Sequence, residues 1–279
     1  MKLLTLNAHS YMEKNFEMKL GSLVLAIWRE KFDVIALQEV NQLSSKLPIA
    51  ENRLKSSGFI SADNSLIKNG NFAFILAEKL KKLGLNYNWS WVSSHIGYDI
   101  YDEGVAIFSL KNVKSVNSFF ISKDHSKENY KTRKVLGAEV LDKNNESSWF
   151  YSLHMGWWND NEEPFKEQWE RLCNNLKPQM NKNVYLMGDF NSPDSNENEG
   201  YNLILKNGSW FDTRDLALHK DEGSTIVSSI DGWEESTPKS MRVDYIFKNN
   251  SDPISTSRVI FNGQNYPVVS DHFGVSVKE

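Results

Sequence analysis

The chain has 279 residues, of which 40% are hydrophobic and 12% aromatic, enough to build a sizeable core and too apolar for a disordered chain. Its 36 acidic and 32 basic side chains leave a net charge of −4, which excludes a general attraction to nucleic acid or anionic membrane. The single cysteine, Cys173, excludes an internal disulfide; it sits in a helix-like stretch and reads as a small core residue.

Taken in order, "KLLTL" reads as a strand, residues 17–31 as an amphipathic helix and "DVIAL" as a second, buried strand. Residues 71–84 read as a helix with lysines in its last turn and a glycine stop. The rhythm then changes. "YNWSWVSSH", "GVAIFS", "VNSFFIS", "KVLGAEVL" and "SWFYSLH" follow at hairpin spacing and predict an antiparallel section. Residues 164–177 predict a helix with proline near its start. "NVYLMGD", "RVDYIF", "STSRVIF" and "FGVSVK" complete the strands. No linker composition divides the chain, so one domain over residues 1–279 is expected: two mixed sheets face to face with helices outside. The opening apolar run is too short for a signal peptide, and no apolar stretch reaches about 18 residues. A cytoplasmic protein with no membrane partner is expected.

Polar residues gather beside the apolar runs. The first strand ends at Asn7, the second at Glu39 and a later one at His154. "LMGDFNSP" supplies Asp189 and Asn191, Asp244 opens "DYIF", and "VVSDHFGV" carries Asp271 and His272. Each alone fits a turn or a structural histidine. Together they fit a shared sheet edge, where ligand sites form. Clustered carboxylates repel unless a cation is present. Glu39, Asp189, Asn191 and Asp271 offer hard oxygen, and no cysteine pair or histidine-rich spacing occurs, so Mg²⁺ or Mn²⁺ is favoured over zinc. Asp189 and Asn191 are two apart, which in a strand puts them on one side, and Gly188 allows close approach.

"LTLNAHS", "ALQEV", "DEGVAIFS", "SLHMG", "MGDFNSP", "RVDYIF" and "SDHFGV" together resemble the ordered motifs of the endonuclease/exonuclease/phosphatase (DNase I-like) superfamily, from Asn7 to His272. The resemblance implies an α/β fold, a four-layer α/β/β/α sandwich, and metal-dependent phosphoester hydrolysis. It implies Glu39 as principal Mg²⁺ ligand, with Asn7 beside it contacting metal or phosphate. It implies His272 acting on the attacking water, oriented by Asp244, with Asp189 a rival base that also touches metal. Asn191 would hold the phosphate or nucleophile, and Asp271 would complete the metal or His272 surroundings. His154 would face the phosphate with Glu103 as its partner.

The substrate is less defined. Trp157 and Trp158 follow His154 and read either as a core pair or as a flat wall for a sugar ring or base. Residues 122–134 form a net basic loop in which Lys131 and Lys134 read as solvated, while Arg133 could clamp a phosphate. The acid balance leans against a nuclease. The motifs around Asn7, Glu39 and His154 are most similar to a bacterial subgroup that includes maltose 6'-phosphate phosphatases. A phosphomonoesterase acting on a small phosphorylated sugar is therefore the leading expectation, and a nuclease-type phosphodiesterase the alternative.

Overall fold

A computed structural model describes residues 1–206, 208–226 and 240–279. Its strands are β1 (Lys2–Asn7), β2 (Val34–Leu43), β3 (Asn88–Gly97), β4 (Tyr101–Ser109), β5 (Asn112–Phe120), β6 (Lys134–Leu141), β7 (Ser147–His154), β8 (Asn183–Asp189), β9 (Phe211–Asp212), β10 (Ala217–Lys220), β11 (Asp244–Lys248), β12 (Ile254–Ile260) and β13 (Gly274–Lys278). The helices are α1 (Phe16–Glu30), α2 (Glu51–Ser56), α3 (Phe72–Lys82), α4 (Phe165–Leu176) and α5 (Gly200–Lys206).

Among the described residues the strands form a seven-stranded sheet, β10-β12-β13-β1-β2-β4-β3, and a six-stranded sheet, β5-β6-β7-β8-β11-β9. Both are mixed. β1 and β2, like β7 and β8, run parallel, whereas β2–β4 and β8–β11 are antiparallel.

Side-chain alternation builds the layers. Val34 and Ala36 of β2 point at the other sheet and meet Leu136, Phe150 and Met187, while Ile35 and Leu37 point outward under Leu23 and Ile27 of α1 and Leu76 of α3. In β8, Tyr185 and Met187 face the inner core; Val184 and Leu186 face Trp169 and Leu172 of α4. Each such buried side chain stabilises by roughly 1.5–3 kcal/mol. A one-residue slip would exchange every face, so packing also fixes where each strand end points. The result is the expected α/β/β/α sandwich.

Helix ends follow their local chemistry. Asn71 caps α3 by accepting from the Phe74 amide at 3.0 Å, and Pro164 precedes α4. Two expectations shift. The antiparallel run is split: β3 and β4 form a hairpin in the seven-stranded sheet, and the chain then crosses to lay down β5, β6 and β7 in the other. β2 also continues past Glu39 to Leu43, through a register break between Leu37 and Val40. A buried polar contact joins the two sheets near this break. Gln38 Nε2 donates to Ser152 Oγ at 3.1 Å, and Ser152 donates to the Leu37 carbonyl at 3.1 Å. None of the described helices is long and apolar enough to cross a membrane.

Candidate active site

The strand edge of the six-stranded sheet sets the first half of the site. In register, Asp189 at the end of β8 lies between His154 of β7 and Asp244 of β11. Gly188 makes the β7–β8 approach possible, since a Cβ there would stand 1.9 Å from the Leu153 carbonyl oxygen. Beyond Asp189 the chain turns through Asn191 at φ 47°, a left-handed conformation that asparagine tolerates. The turn is closed by the Asn191 amide donating to Asp189 Oδ1 at 2.8 Å. Asn191 Nδ2 then reaches His154 Nε2 at 3.1 Å and the Met155 carbonyl at 2.9 Å.

The other sheet supplies the second half. Glu39 sits in the β2 bulge at φ 50°, which swings its side chain out of the strand and into the cleft. Ser10 Oγ clamps the bulge by donating to the Glu39 carbonyl at 2.5 Å. Asn7, 1% exposed, stands behind the cleft wall. Its Nδ2 donates to Glu39 Oε1 at 2.7 Å and to Asp189 Oδ2 at 3.1 Å, so one amide ties the carboxylates of both sheets. Its Oδ1 accepts from the His9 amide at 3.2 Å. Asn7 therefore spends both ends on the protein.

His272 enters from the loop before β13. Its Nδ1 lies 2.8 Å from the fully buried Asp244 Oδ2, and its Nε2 is 3.8 Å from Asp189 Oδ2. Glu39, Asp189, Asn191, His154, Asp271 and His272 all line one cleft of about 300 Å³.

The charge balance is uneven. Burial, with the Glu103 and Asp271 charges, pushes the Glu39 carboxyl up to about 8. Burial and Asp244 push Asp189 up to about 6. For His272, burial disfavours the charged ring, but Asp244 and Asp189 outweigh it and raise the group to about 10. His154 is held well below the ordinary histidine value by burial and then by Arg133, His95 and His272, so it offers a hydrogen bond rather than a charge.

A centre this rich in crowded carboxylates fits a divalent cation, and its donors are hard oxygens. Two tight groups form among the described residues, with ligand atoms within 4.8 Å of one another: Asp189 with Asp244 and His272, and His9 with Glu13 and Asp271. Glu39 lies in neither, so of the expected ligands Glu39, Asp189 and Asp271 line one cleft without forming one such group, and Asn7 stands behind its wall. Asp271 Oδ1 is instead 3.6 Å from His9 Nδ1.

Several expected contacts need correction. Glu103 pairs with His95 Nε2 at 3.3 Å, not with His154, because β4 and β3 are neighbours while His154 belongs to the opposite sheet. Trp158 packs on Phe165 of the α4 core, with ring centroids 6.0 Å apart, and only Trp157 of the pair lines the cleft. Lys131 and Lys134 are not simply solvated: Lys131 pairs with Asp160 at 2.8 Å, and Lys134 pairs with Asp63. Arg133 is buried and lines the cleft.

Sequence reasoning missed His9, His95, Tyr98 and Tyr130, which also line it. A usable signal existed for two of them. His9 follows Asn7 by two positions, and His95 lies in the hairpin that leads to Glu103.

The sequence model of the endonuclease/exonuclease/phosphatase family matches residues 5–272. An endonuclease/exonuclease/phosphatase family protein from Leptotrichia buccalis C-1013-b is 34% identical, with TM-score 0.87 over 100% of this chain and 98% of that one. A mannosyl-6-phosphatase from Bacteroides thetaiotaomicron VPI-5482 shares the fold at 16% identity, with TM-score 0.65 over 100% and 98% of the two chains. TDP2 from D. rerio, complexed with a single-strand DNA product, shares it at 14% identity, with TM-score 0.63 over 99% and 97%. No curated protein matches the sequence.

Proposed function

Because the chain belongs to the endonuclease/exonuclease/phosphatase family of phosphoester hydrolases, we propose that it is a divalent-metal-dependent phosphomonoesterase that releases phosphate from a small phosphorylated sugar. The observation that carries this reading is the cleft. At about 300 Å³ it suits one small ligand. Residues 122–134 wall one side, tied to β3 by the Ile96 amide donating to the Lys127 carbonyl at 2.6 Å. The mannosyl-6-phosphatase of the same fold supports a sugar phosphate.

In this reading Glu39 and Asp189 would hold Mg²⁺ or Mn²⁺, with Asp271 at the rim. The ion, when bound, supplies charge neutralisation and polarises the phosphate. The chain's own groups do the rest. Asn191 holds His154 in place through Nδ2, and His154 faces the phosphate. His272 and Asp189, whose facing atoms are 3.8 Å apart, handle the proton of the attacking water as a pair, close enough for one water to serve both. Asp244 fixes the His272 ring through Nδ1, leaving Nε2 for the cleft. Glu103 acts through His95 rather than on the phosphate.

A nuclease-type phosphodiesterase is the second reading, favoured by the likeness to TDP2 with its DNA product. The deciding experiment measures phosphate release from maltose 6'-phosphate and mannose 6-phosphate against nicking of supercoiled plasmid, each with and without EDTA. Phosphate release abolished by EDTA is expected. Plasmid nicking without sugar-phosphate turnover would reverse the assignment.

A further inference from the structure

Buried arginines are almost always paired. Arg242 follows this rule: it is 6% exposed, with Nη1 2.6 Å from Asp212 and Nε donating to Asp194 at 2.8 Å. Arg133 does not. It is 5% exposed, yet no carboxylate lies within ion-pair distance of it among the described residues. Both of its side-chain hydrogen bonds leave from Nη1, to the main-chain oxygens of Tyr130 at 2.6 Å and Thr132 at 3.3 Å. Its Nε has no acceptor among the described residues. The same holds for the indole Nε1 of Trp157, whose ring centroid is 5.9 Å from the guanidinium carbon. Both side chains line the cleft. Two buried, unspent donors, one of them a full charge, call for an anionic acceptor.

The segment carrying Arg133 is fixed on both sides. The amides of Lys123 and Asp124 donate to Glu163 Oε1, each at 2.8 Å, and Lys131 pairs with Asp160 at 2.8 Å. On the other side the Thr132 carbonyl lies 3.2 Å from His95 Nδ1. Arg133 is thus delivered preorganised rather than recruited by closure.

Resting on the phosphoesterase reading above, we propose that Arg133, with Trp157 Nε1 beside it, binds a terminal phosphate oxygen that a monoester has and a diester lacks, and so sets the choice of substrate class. A monoester dianion carries three terminal oxygens and two negative charges. A diester offers two such oxygens and one charge, and its second ester arm brings no charge for the guanidinium. A fork of N–H groups suits the dianion's paired oxygens better than a point charge does.

The test is a calorimetric titration of the protein with inorganic phosphate and, separately, with dimethyl phosphate. Arg133→Gln is expected to weaken phosphate at least about 30-fold while the ratio of phosphate to dimethyl phosphate affinity falls by nearly as much, as for a lost charge-assisted hydrogen bond. Arg133→Lys should recover part of that ratio, and Trp157→Phe, which keeps the ring but removes the donor, should lower it about 3–10-fold. Equal weakening of both probes, or no change in either, would overturn the proposal. If Arg133→Gln does not fold, Arg133→Lys and Trp157→Phe decide it alone. The titration needs no turnover, so a protein that proves to hydrolyse only diesters would sink the substrate reading while leaving this result legible.

Discussion

Asp244→Asn isolates one contact. Asp244 is fully buried, and its Oδ2 is 2.8 Å from His272 Nδ1, while its Oδ1 has no hydrogen-bond partner among the described residues. The carboxylate is therefore balanced chiefly by the ring it orients. A hydrogen bond to a charged group contributes about 1.5–3 kcal/mol, and each 1.36 kcal/mol is tenfold in rate. The expected loss in kcat/KM is about 10–10²-fold. The amide keeps the shape but leaves the buried His272 ring without its counter-charge, so the melting temperature should fall at neutral pH while the protein still folds. The assay is steady-state phosphate release at saturating Mg²⁺, with thermal melting as the folding control. His272→Gln should cost at least about 10²-fold. The double variant should be no worse than His272→Gln alone, because the two residues act as a unit. Asp244→Asn within about threefold of the parent enzyme, or strictly additive losses in the double variant, would refute the assignment.

Other outcomes follow from neighbouring features. Glu39→Gln should raise the Mg²⁺ concentration for half-maximal activity at least about tenfold after EDTA stripping, since it removes a carboxyl oxygen that a bound cation would draw into its charged form; unchanged metal dependence would exclude Glu39 as a ligand. Gly188→Ala should lower stability by about 1–3 kcal/mol or more in urea melts, because its Cβ would meet the Leu153 carbonyl at 1.9 Å and part the strands bearing His154 and Asp189. Glu139 bonds Lys182 at 2.5 Å and Ser115 at 2.9 Å; burial opposes its charge, but these partners hold it down to about 2. Its folded value lies below the unfolded one of about 4.3, so its stabilisation is present above that pH and is lost as pH falls towards 2. Glu139→Gln should therefore melt lower at pH 7, and the gap to the parent protein should shrink steadily between about pH 5 and pH 3.

Much of this site was legible because its residues stand where apolar runs stop. Asp189 and Asn191 after "VYLMG", and His154 after "SWFYSL", needed only strand periodicity to be placed at one edge. For Glu39 the strand-end reading does not hold. It does not end β2; a bulge within the strand turns it outward, and nothing in "LQEVNQL" distinguishes a bulge from a stop. Glu103 meets His95 and not the expected His154, because pairing across β3 and β4 depends on which sheet each hairpin joins, a long-range fact. Trp157 and Trp158 are adjacent and chemically identical; only the packing of Phe165 sends one inward and leaves the other at the cleft. Arg133 reads in sequence as one of three cations in a polar loop. That it makes no direct ion pair, with carboxylates acting on it only from beyond contact, becomes visible only in three dimensions.

The clasp of Gln38 on Ser152 works like a dowel between two plates. Glu39 rides on one plate and His154 on the other, each one or two positions from the peg. Apolar surfaces alone would let the plates glide with little resistance, because greasy contact has no direction. A pegged joint holds the two halves of the machinery in alignment, and Gln38→Leu would keep the grease while pulling the pin.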